Sequence, residues 1–333
     1  MMENKKKRNT GFLRWVIALM VIGTVMAFLV SPASAQNYPT KPIVLIVPFS
    51  PRGGSDIAAR LIAHFVQPHL GQAIVVENKP GAAGQVGWSA VAKAQPDGYT
   101  LGYVSSPSIL LIKGLRENVP FQMSDFIYIA NIQLDPAVIV VPPDSPFKTM
   151  NDLVEYAKKN PGKLNIGGDG PQSNYHLQAV VIEKQLGIKM NFVSYSGSGP
   201  VIPALLGKQL DAGIPGISSA VPQIEAKGLR ALALIDTEKF ALLPGIPLIK
   251  AATGVDVSPI GASMRGIIVP KGVSADKVKV LEGAFAKLMK DPKFIAKANE
   301  MGVPLKYMNA KQFSEALLSD EKELANYINL LKK

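Results

Sequence analysis

Ile43-Val44-Leu45-Ile46-Val47, followed by Pro48-Phe49-Ser50-Pro51-Arg52-Gly53-Gly54-Ser55-Asp56 and an amphipathic stretch to Leu70, decides how the chain folds. Five consecutive apolar residues, four of them β-branched, form a strand buried on both faces. Two prolines and a Gly-Gly pair stop it. From Ser55 onward Ile57, Ala58, Leu61, Ile62 and Phe65 recur at helical spacing, which predicts a helix over 55–70 with one apolar face. A buried strand feeding an amphipathic helix through a Gly-rich loop is the repeating unit of α/β folds with largely parallel sheets.

The unit recurs outward from that stretch. A strand is expected at 74–76, then a Gly-rich turn and a helix over 86–94, then Pro96-Asp97-Gly98 turning into a strand at 100–104. After Asp135-Pro136 a second block opens with the apolar run 138–141, stopped by Pro142-Pro143. Helices over 150–159, 174–186, 201–206 and 220–226 then alternate with strands at 164–166, 191–193, 210–213 and 230–235. The Pro- and Gly-rich run 243–260 reads as a surface wrap. The strand 266–269 with its stop Pro270-Lys271-Gly272 mirrors the one at 138–141, and from Ser274 the chain reads as helical, with Phe313, Leu317, Leu324, Ile328 and Leu331 spaced for a packed terminal helix. This pattern predicts two α/β domains with a cleft between them: 36–137 plus 264–333 as a discontinuous first domain, 138–263 as the second. The strands near Val138 and Gly266 are the expected crossings.

Residues 1–35 read as a cleavable signal peptide. Lys5, Lys6, Lys7, Arg8 and Arg14 precede an apolar run over 15–30, and Ala33-Ser34-Ala35 supplies small residues for cleavage. The apolar run is short for a bilayer span of about 20 residues. The chain of 333 residues has no cysteine, which excludes disulfides, a thiolate nucleophile, thiolate metal sites and a lipidated N-terminal cysteine. The formal charge is +11; the leader holds five of the 36 basic residues and one of the 25 acidic ones, so the mature part carries 31 against 24. That mild positive field suits an anionic ligand. The basic residues are dispersed and not interleaved with aromatics, which argues against nucleic acid as a partner.

Catalytic and cofactor motifs fail one by one. GxxxxGK[ST] is absent, and Gly81, Gly84 and Gly87 read as a close-packed turn rather than a dinucleotide fingerprint. Gly216-Ile217-Ser218-Ser219-Ala220 approximates a nucleophile elbow, but the hydrolase order needs a later histidine and none follows His176. With three histidines in all, a histidine metal cluster is not expected. What remains are Gly/Ser/Asn/Pro loops where strands feed helices: 48–56, 167–174 and 195–200. Helix N-termini flanked by hydroxyl residues bind anions without a cationic side chain; singly, such loops are also ordinary helix caps. Asp56 reads as an early-helix residue favourable to the dipole, Trp88 as packing, and Arg265 as a solvated hinge residue, with pairing to a second ligand carboxylate as its alternative.

Tyr38-Pro39-Thr40-Lys41-Pro42-Ile43, Pro48-Phe49 with Gly53-Gly54-Ser55-Asp56 and Arg60, Val76-Glu77-Asn78-Lys79-Pro80-Gly81 and Gln95-Pro96-Asp97-Gly98-Tyr99-Thr100 form an ordered set. It continues through Pro161-Gly162-Lys163-Leu164, Tyr195-Ser196-Gly197-Ser198, Leu229-Arg230-Ala231-Leu232-Ala233 and Pro270-Lys271-Gly272. Together these resemble the Bug-type extracytoplasmic solute-binding receptors of tripartite tricarboxylate transporters. The resemblance implies a two-lobed, type II-like periplasmic-binding-protein fold that closes on a small organic carboxylate. Its implied partner is a two-component polytopic membrane permease, and its implied location the periplasm of a Gram-negative bacterium. A monomer with no cofactor, metal or catalytic residue is expected. Carried onto this chain, the family's amide and hydroxyl grip falls on Phe49, Gly53, Gly54, Ser55 and Asp56, with Ser105 and Ser108, in the first lobe. In the second lobe it falls on Ser173, His176, Ser198 and Gly199. Arg52 stands where glycine is usual, and 168–173 matches the Gly-Ser-x-x-His pattern only loosely. An exported sensor subunit presenting a carboxylate to a membrane kinase and an exported hydrolase remain the alternatives. N-terminal sequencing of the exported protein is expected to begin at Gln36; a protein retaining 15–30 in the membrane fraction contradicts the leader reading.

Overall fold

The computed structural model describes residues 38–257 and 260–332, so the leader reading lies outside the described residues. Strand β1 (Ile43–Val47) and helix α1 (Gly54–Leu70) form as the opening stretch predicts. Gly53 is the N-cap of α1, Asp56 lies in its first turn, and Gly71 ends it in the left-handed region at φ 73°, where a side chain is disfavoured. β2 (Ile74–Asn78), α2 (Gln85–Ala92), β3 (Thr100–Ser106) and α3 (Ser108–Leu115) follow. Gly81 and Gly84 turn the chain at φ 138° and 105°, as a close-packed turn requires.

The first sheet has the order β11-β4-β10-β3-β1-β2, completed by β4 (Phe126–Asp135), β10 (Ser263–Pro270) and β11 (Leu305–Asn309). β1 lies parallel to β2 and β3, whereas β10 runs antiparallel to β3 and β4. All eight residues of β10 are buried, as are the last six of β3; the edge strand β2 alternates with solvent, and the edge strand β11 has no fully buried residue. The second sheet has the order β7-β6-β8-β5-β9, from β5 (Ala137–Val141), β6 (Asn165–Asp169), β7 (Asn191–Tyr195), β8 (Ala212–Gly213) and β9 (Arg230–Ile235). Around it lie α4 (Met150–Lys159), α5 (Asn174–Leu186), α6 (Ser198–Leu206), α7 (Ile217–Glu225) and α8 (Ile249–Thr253). α4 starts on a capping box in which the Thr149 hydroxyl accepts from the Asp152 amide and the Asp152 carboxylate accepts from the Thr149 amide.

Three expectations need correction. The run 243–260 does not simply wrap the surface: it carries α8 and buries Ile249, Val255, Val257 and Ile260, because its apolar residues are numerous enough to anchor it. The tail is not uniformly helical. After α9 (Ala275–Leu288) and α10 (Pro292–Glu300), Gly302 turns at φ 67° and the chain adds β11 to the edge of β4 before α11 (Ala310–Leu324). Phe313, Leu317 and Leu324 are buried on α11, but Ile328 and Leu331 lie beyond its end. Finally, the passage from the first sheet to the second falls at Asp135-Pro136, between β4 and β5, and the return lies between β9 and β10; β5 itself sits wholly in the second sheet.

The tail does return to the first sheet: α9 and α10 pack on α1, and α11 on β4. Among the described residues no helix is long and apolar enough to cross a membrane. Trp88 on α2 is fully buried, with its ring edge-on to Phe49 and Phe121 and its indole N–H donating to the Tyr103 carbonyl at 3.2 Å. Trp88→Ala is expected to destabilise the protein by about 3–5 kcal/mol, from lost burial plus a cavity. Urea unfolding measures this, and a cost below about 1 kcal/mol would show that the first-lobe core does not depend on it.

Candidate functional site

Each loop singled out in the sequence runs from the C-terminal end of a strand to the N-terminus of a helix, and the two lobes present these ends to one another. Helices α1 and α7, from different lobes, touch. The Ser50 amide donates across the seam to the Ser196 carbonyl at 3.2 Å. A Cβ placed on Gly53 would lie 3.1 Å from the Gly199 amide nitrogen, and one on Gly199 would collide with the Pro51 carbonyl. One on Gly54 would collide with Ser218 Oγ and stand 2.8 Å from Arg265 Nη1. Gly53 and Gly199 therefore let backbone meet backbone across the cleft, and Gly54 leaves room for the Ser218 and Arg265 side chains.

Of the expected site residues, Gly53, Gly54, Ser198 and Gly199 are brought together here. Ser105 is buried on β3, opposite Arg265 in the strand register. Ser108 begins α3 and accepts from the Asn174 amide of α5 at 3.2 Å, a second bond between the lobes. Phe49 and Ser55 are buried, Phe49 against Trp88.

Three residues turn to other work. The Asp56 carboxylate accepts from the Arg52 amide, Arg60 Nε and Asn78 Nδ2 at 2.9–3.0 Å, so it staples its own loop. That staple holds Arg52 at φ 65°, the left-handed conformation for which glycine is the easier residue. Ser173 caps α5, accepting from the His176 amide and donating to the Asp169 carbonyl. His176 accepts from the Gln172 amide at 3.2 Å and lies against the Phe192 ring, and burial lowers its pKa.

At the centre of the seam is a buried polar cluster that the sequence reading did not assemble. Arg265, expected as a solvated hinge residue, is 3% exposed. Its Nη1 lies 2.5 Å from Asp135 Oδ2, and its Nη2 donates to the Tyr175 hydroxyl at 2.9 Å. Asp135 also accepts from the Ser218 amide at 3.2 Å and the Ser218 hydroxyl at 3.0 Å, so it caps α7. Asp169, at the end of β6, accepts from the Ser198 hydroxyl at 3.0 Å. Burial raises the Asp135 pKa, opposed by Arg265 and the two Ser218 bonds. Burial pushes Asp169 up to about 6, with Arg265 and Ser198 pulling the other way. For Arg265 burial opposes the charge, but Asp135 and the neighbouring Tyr175, Tyr103 and Asp169 more than offset it and the pKa rises. The signal available in the sequence was 216–220, which marks a strand-to-helix turn like the others. Among the described residues no His, Asp and Glu group is arranged to hold a metal ion.

Two lobes presenting helix N-termini to a shared seam, connected at Asp135-Pro136 and between β9 and β10, define a periplasmic-binding-protein fold. The comparisons with known proteins agree. The profile described as tripartite tricarboxylate transporter family receptor matches residues 58–330, and the chain belongs to that family. A UPF0065 protein in the gbd 5′ region of Cupriavidus necator is 30% identical over 98% of this chain and 99% of its own length. The solved periplasmic binding protein BugD superposes with a TM-score of 0.80 at 28% identity, covering 89% of this chain and 98% of its own. An R. palustris protein solved with adipate gives 0.83 at 26% identity, over 88% and 98%.

The buried Asp169 gives a pH signature. Its pKa is raised from 3.8 to about 6, so its contribution to stability is full below about pH 4 and is lost as pH rises through 6. Asp169→Asn, which mimics the protonated form, is expected to melt with the wild type near pH 4 and to gain on it toward pH 7, by at most about 3 kcal/mol. A melting difference that does not change with pH would mean that Asp169 is not desolvated in the folded protein.

Proposed function

We propose that this protein is an exported receptor that captures a small organic carboxylate between its lobes. It then delivers the acid to a two-component polytopic membrane permease and catalyses no reaction of its own. The observation that carries this reading is the meeting of α1, α6 and α7 N-termini, from both lobes, around Gly53, Gly54, Ser198 and Gly199. Unpaired amides at helix starts favour an anion by roughly 0.3–1 kcal/mol per helix, up to about 2 when partly buried. Micromolar affinity needs about 8 kcal/mol. One helix end is therefore insufficient, and ends from both lobes must act together with charge-assisted hydrogen bonds and apolar burial. The lobe contacts seen here leave no gap at Gly54, so a ligand enters by parting the lobes, and their reclosure on it makes contacts that only the closed form offers. The adipate complex of the 26%-identical R. palustris protein supports a carboxylate as the ligand class. Membership of a transporter receptor family supports the permease as the partner. The leader read over 1–35 and the lack of a cysteine to lipidate support export without a lipid anchor.

A panel of adipate, succinate, propionate and benzoate is expected to contain at least one acid that raises the melting temperature; at 100 times its Kd a ligand stabilises by about 2.7 kcal/mol. Glucose and lysine are expected to do nothing. Gly199→Val, whose side chain would strike the Pro51 carbonyl, is expected to lose that shift and to stay open by small-angle scattering in the presence of the acid. If only sugars or cationic compounds stabilise the wild type, the carboxylate assignment is wrong.

A further inference from the structure

Among the described residues Arg265 is the one arginine whose burial is nearly complete, and its guanidinium lies between the helix ends of both lobes. Nη1 stands 2.8 Å from the Cβ direction of Gly54, the first residue of α1; Nη2 stands 3.1 Å from that of Gly216, the N-cap of α7. Two neighbours hold it. The Tyr175 hydroxyl accepts from Nη2, and Asp135 balances the charge at 2.5 Å from Nη1. Nη1 is engaged by Asp135 in that ion pair, whereas Nε is buried with a hydrogen that no protein acceptor takes. The two Asp135 oxygens also accept from the Ser218 amide and hydroxyl. A buried guanidinium carries five N–H donors, and leaving some unmatched is costly unless an acceptor arrives.

We infer that Arg265 is a specificity-determining residue of the ligand cleft, receiving the ligand's carboxylate on its unmatched N–H groups while Asp135 and Tyr175 hold the guanidinium in place. This rests on the carboxylate-receptor reading above and deepens it. The helix ends and hydroxyls accept any electron-rich oxygen, including that of an amide. A full positive charge at the same place distinguishes an acid from its carboxamide.

The test separates a ligand contact from a purely structural ion pair. Asp135→Asn with Arg265→Met removes both charges at once and leaves no buried ion behind. Calorimetry compares wild type and double variant with adipate, succinate, propionate and benzoate and with the amide of each. For the acid that the wild type binds, the double variant is expected to lose about 10- to 150-fold in affinity and its preference for the acid over the amide. A double variant that binds the acid with wild-type affinity and preference overturns the inference and leaves the receptor reading standing. A wild type that binds none of the four acids overturns both. Should the double variant fail to melt cooperatively, Arg265→Lys decides: weaker binding with the acid preference retained supports the contact, and unchanged affinity refutes it.

Discussion

The ion pair between Asp135 and Arg265 sits where the chain has least freedom. Asp135 is the last residue of β4, immediately before the Pro136 passage into the second sheet, and Arg265 is the third residue of β10, just after the return. The two strands are neighbours, with Ser263 opposite Asp135 and Arg265 opposite Gln133. One buried contact therefore ties both connections between the lobes, and through Ser218 and Tyr175 it also fixes the starts of α7 and α5 in the second lobe. Buried pairs of this kind are weak contributors to net stability, yet breaking one by removing a single partner costs about 3–5 kcal/mol because a bare charge remains. Position, more than stability, is what the pair provides.

Around that fixed point the lobes meet through backbone. Gly53 and Gly199 have no room for a side chain because backbone of one lobe lies against backbone of the other, and Gly54 has none because the Ser218, Arg265 and Asp135 side chains fill the space beside it. Side chains at these places would hold the lobes apart. The same loops carry their own staples. Asp56 binds the Arg52 amide, and Ser173 caps α5, so the amides that face the cleft belong to turns already held in shape before any ligand arrives.

How much of this could be read from the sequence follows from the range of each interaction. β1, the 48–56 loop and α1 are legible because strand, stop and helix are all encoded within thirty residues. β4 is not, since its ten residues mix buried Asn131, Gln133 and Asp135 with apolar ones and match neither a clean alternation nor an apolar run. Those polar residues are explained only by partners far along the chain: Asn131 donates to the Lys306 carbonyl, Gln133 accepts from Tyr103, and Asp135 faces Arg265. Arg265 reads as a solvated residue for the same reason, because 130 positions separate it from the carboxylate that allows its burial. Asp56 and His176 show the reverse case. Their residue types suit ligand binding, and the structure adds local hydrogen bonds to each that residue type alone does not announce.

The charges at the seam also explain why a modest overall field is enough. Arg265, Asp135 and Asp169 are close enough to shift one another's ionisation, and the helix ends of α1, α6 and α7 add partial positive charge toward the same place. Asp135 neutralises the arginine, and Asp169 neutralises much of what the helix ends contribute. The cleft without ligand is thus close to balanced and can close on itself, as the Ser50–Ser196 bond shows. Asp169 shares in that balance: burial raises its pKa to about 6 against the pull of Arg265 and Ser198, so near neutral pH its charge responds to the groups around it. Its position at the end of β6 is set by the sheet, and its partner Ser198 is the first residue of α6, so the same hydrogen bond ties a strand end to a helix start.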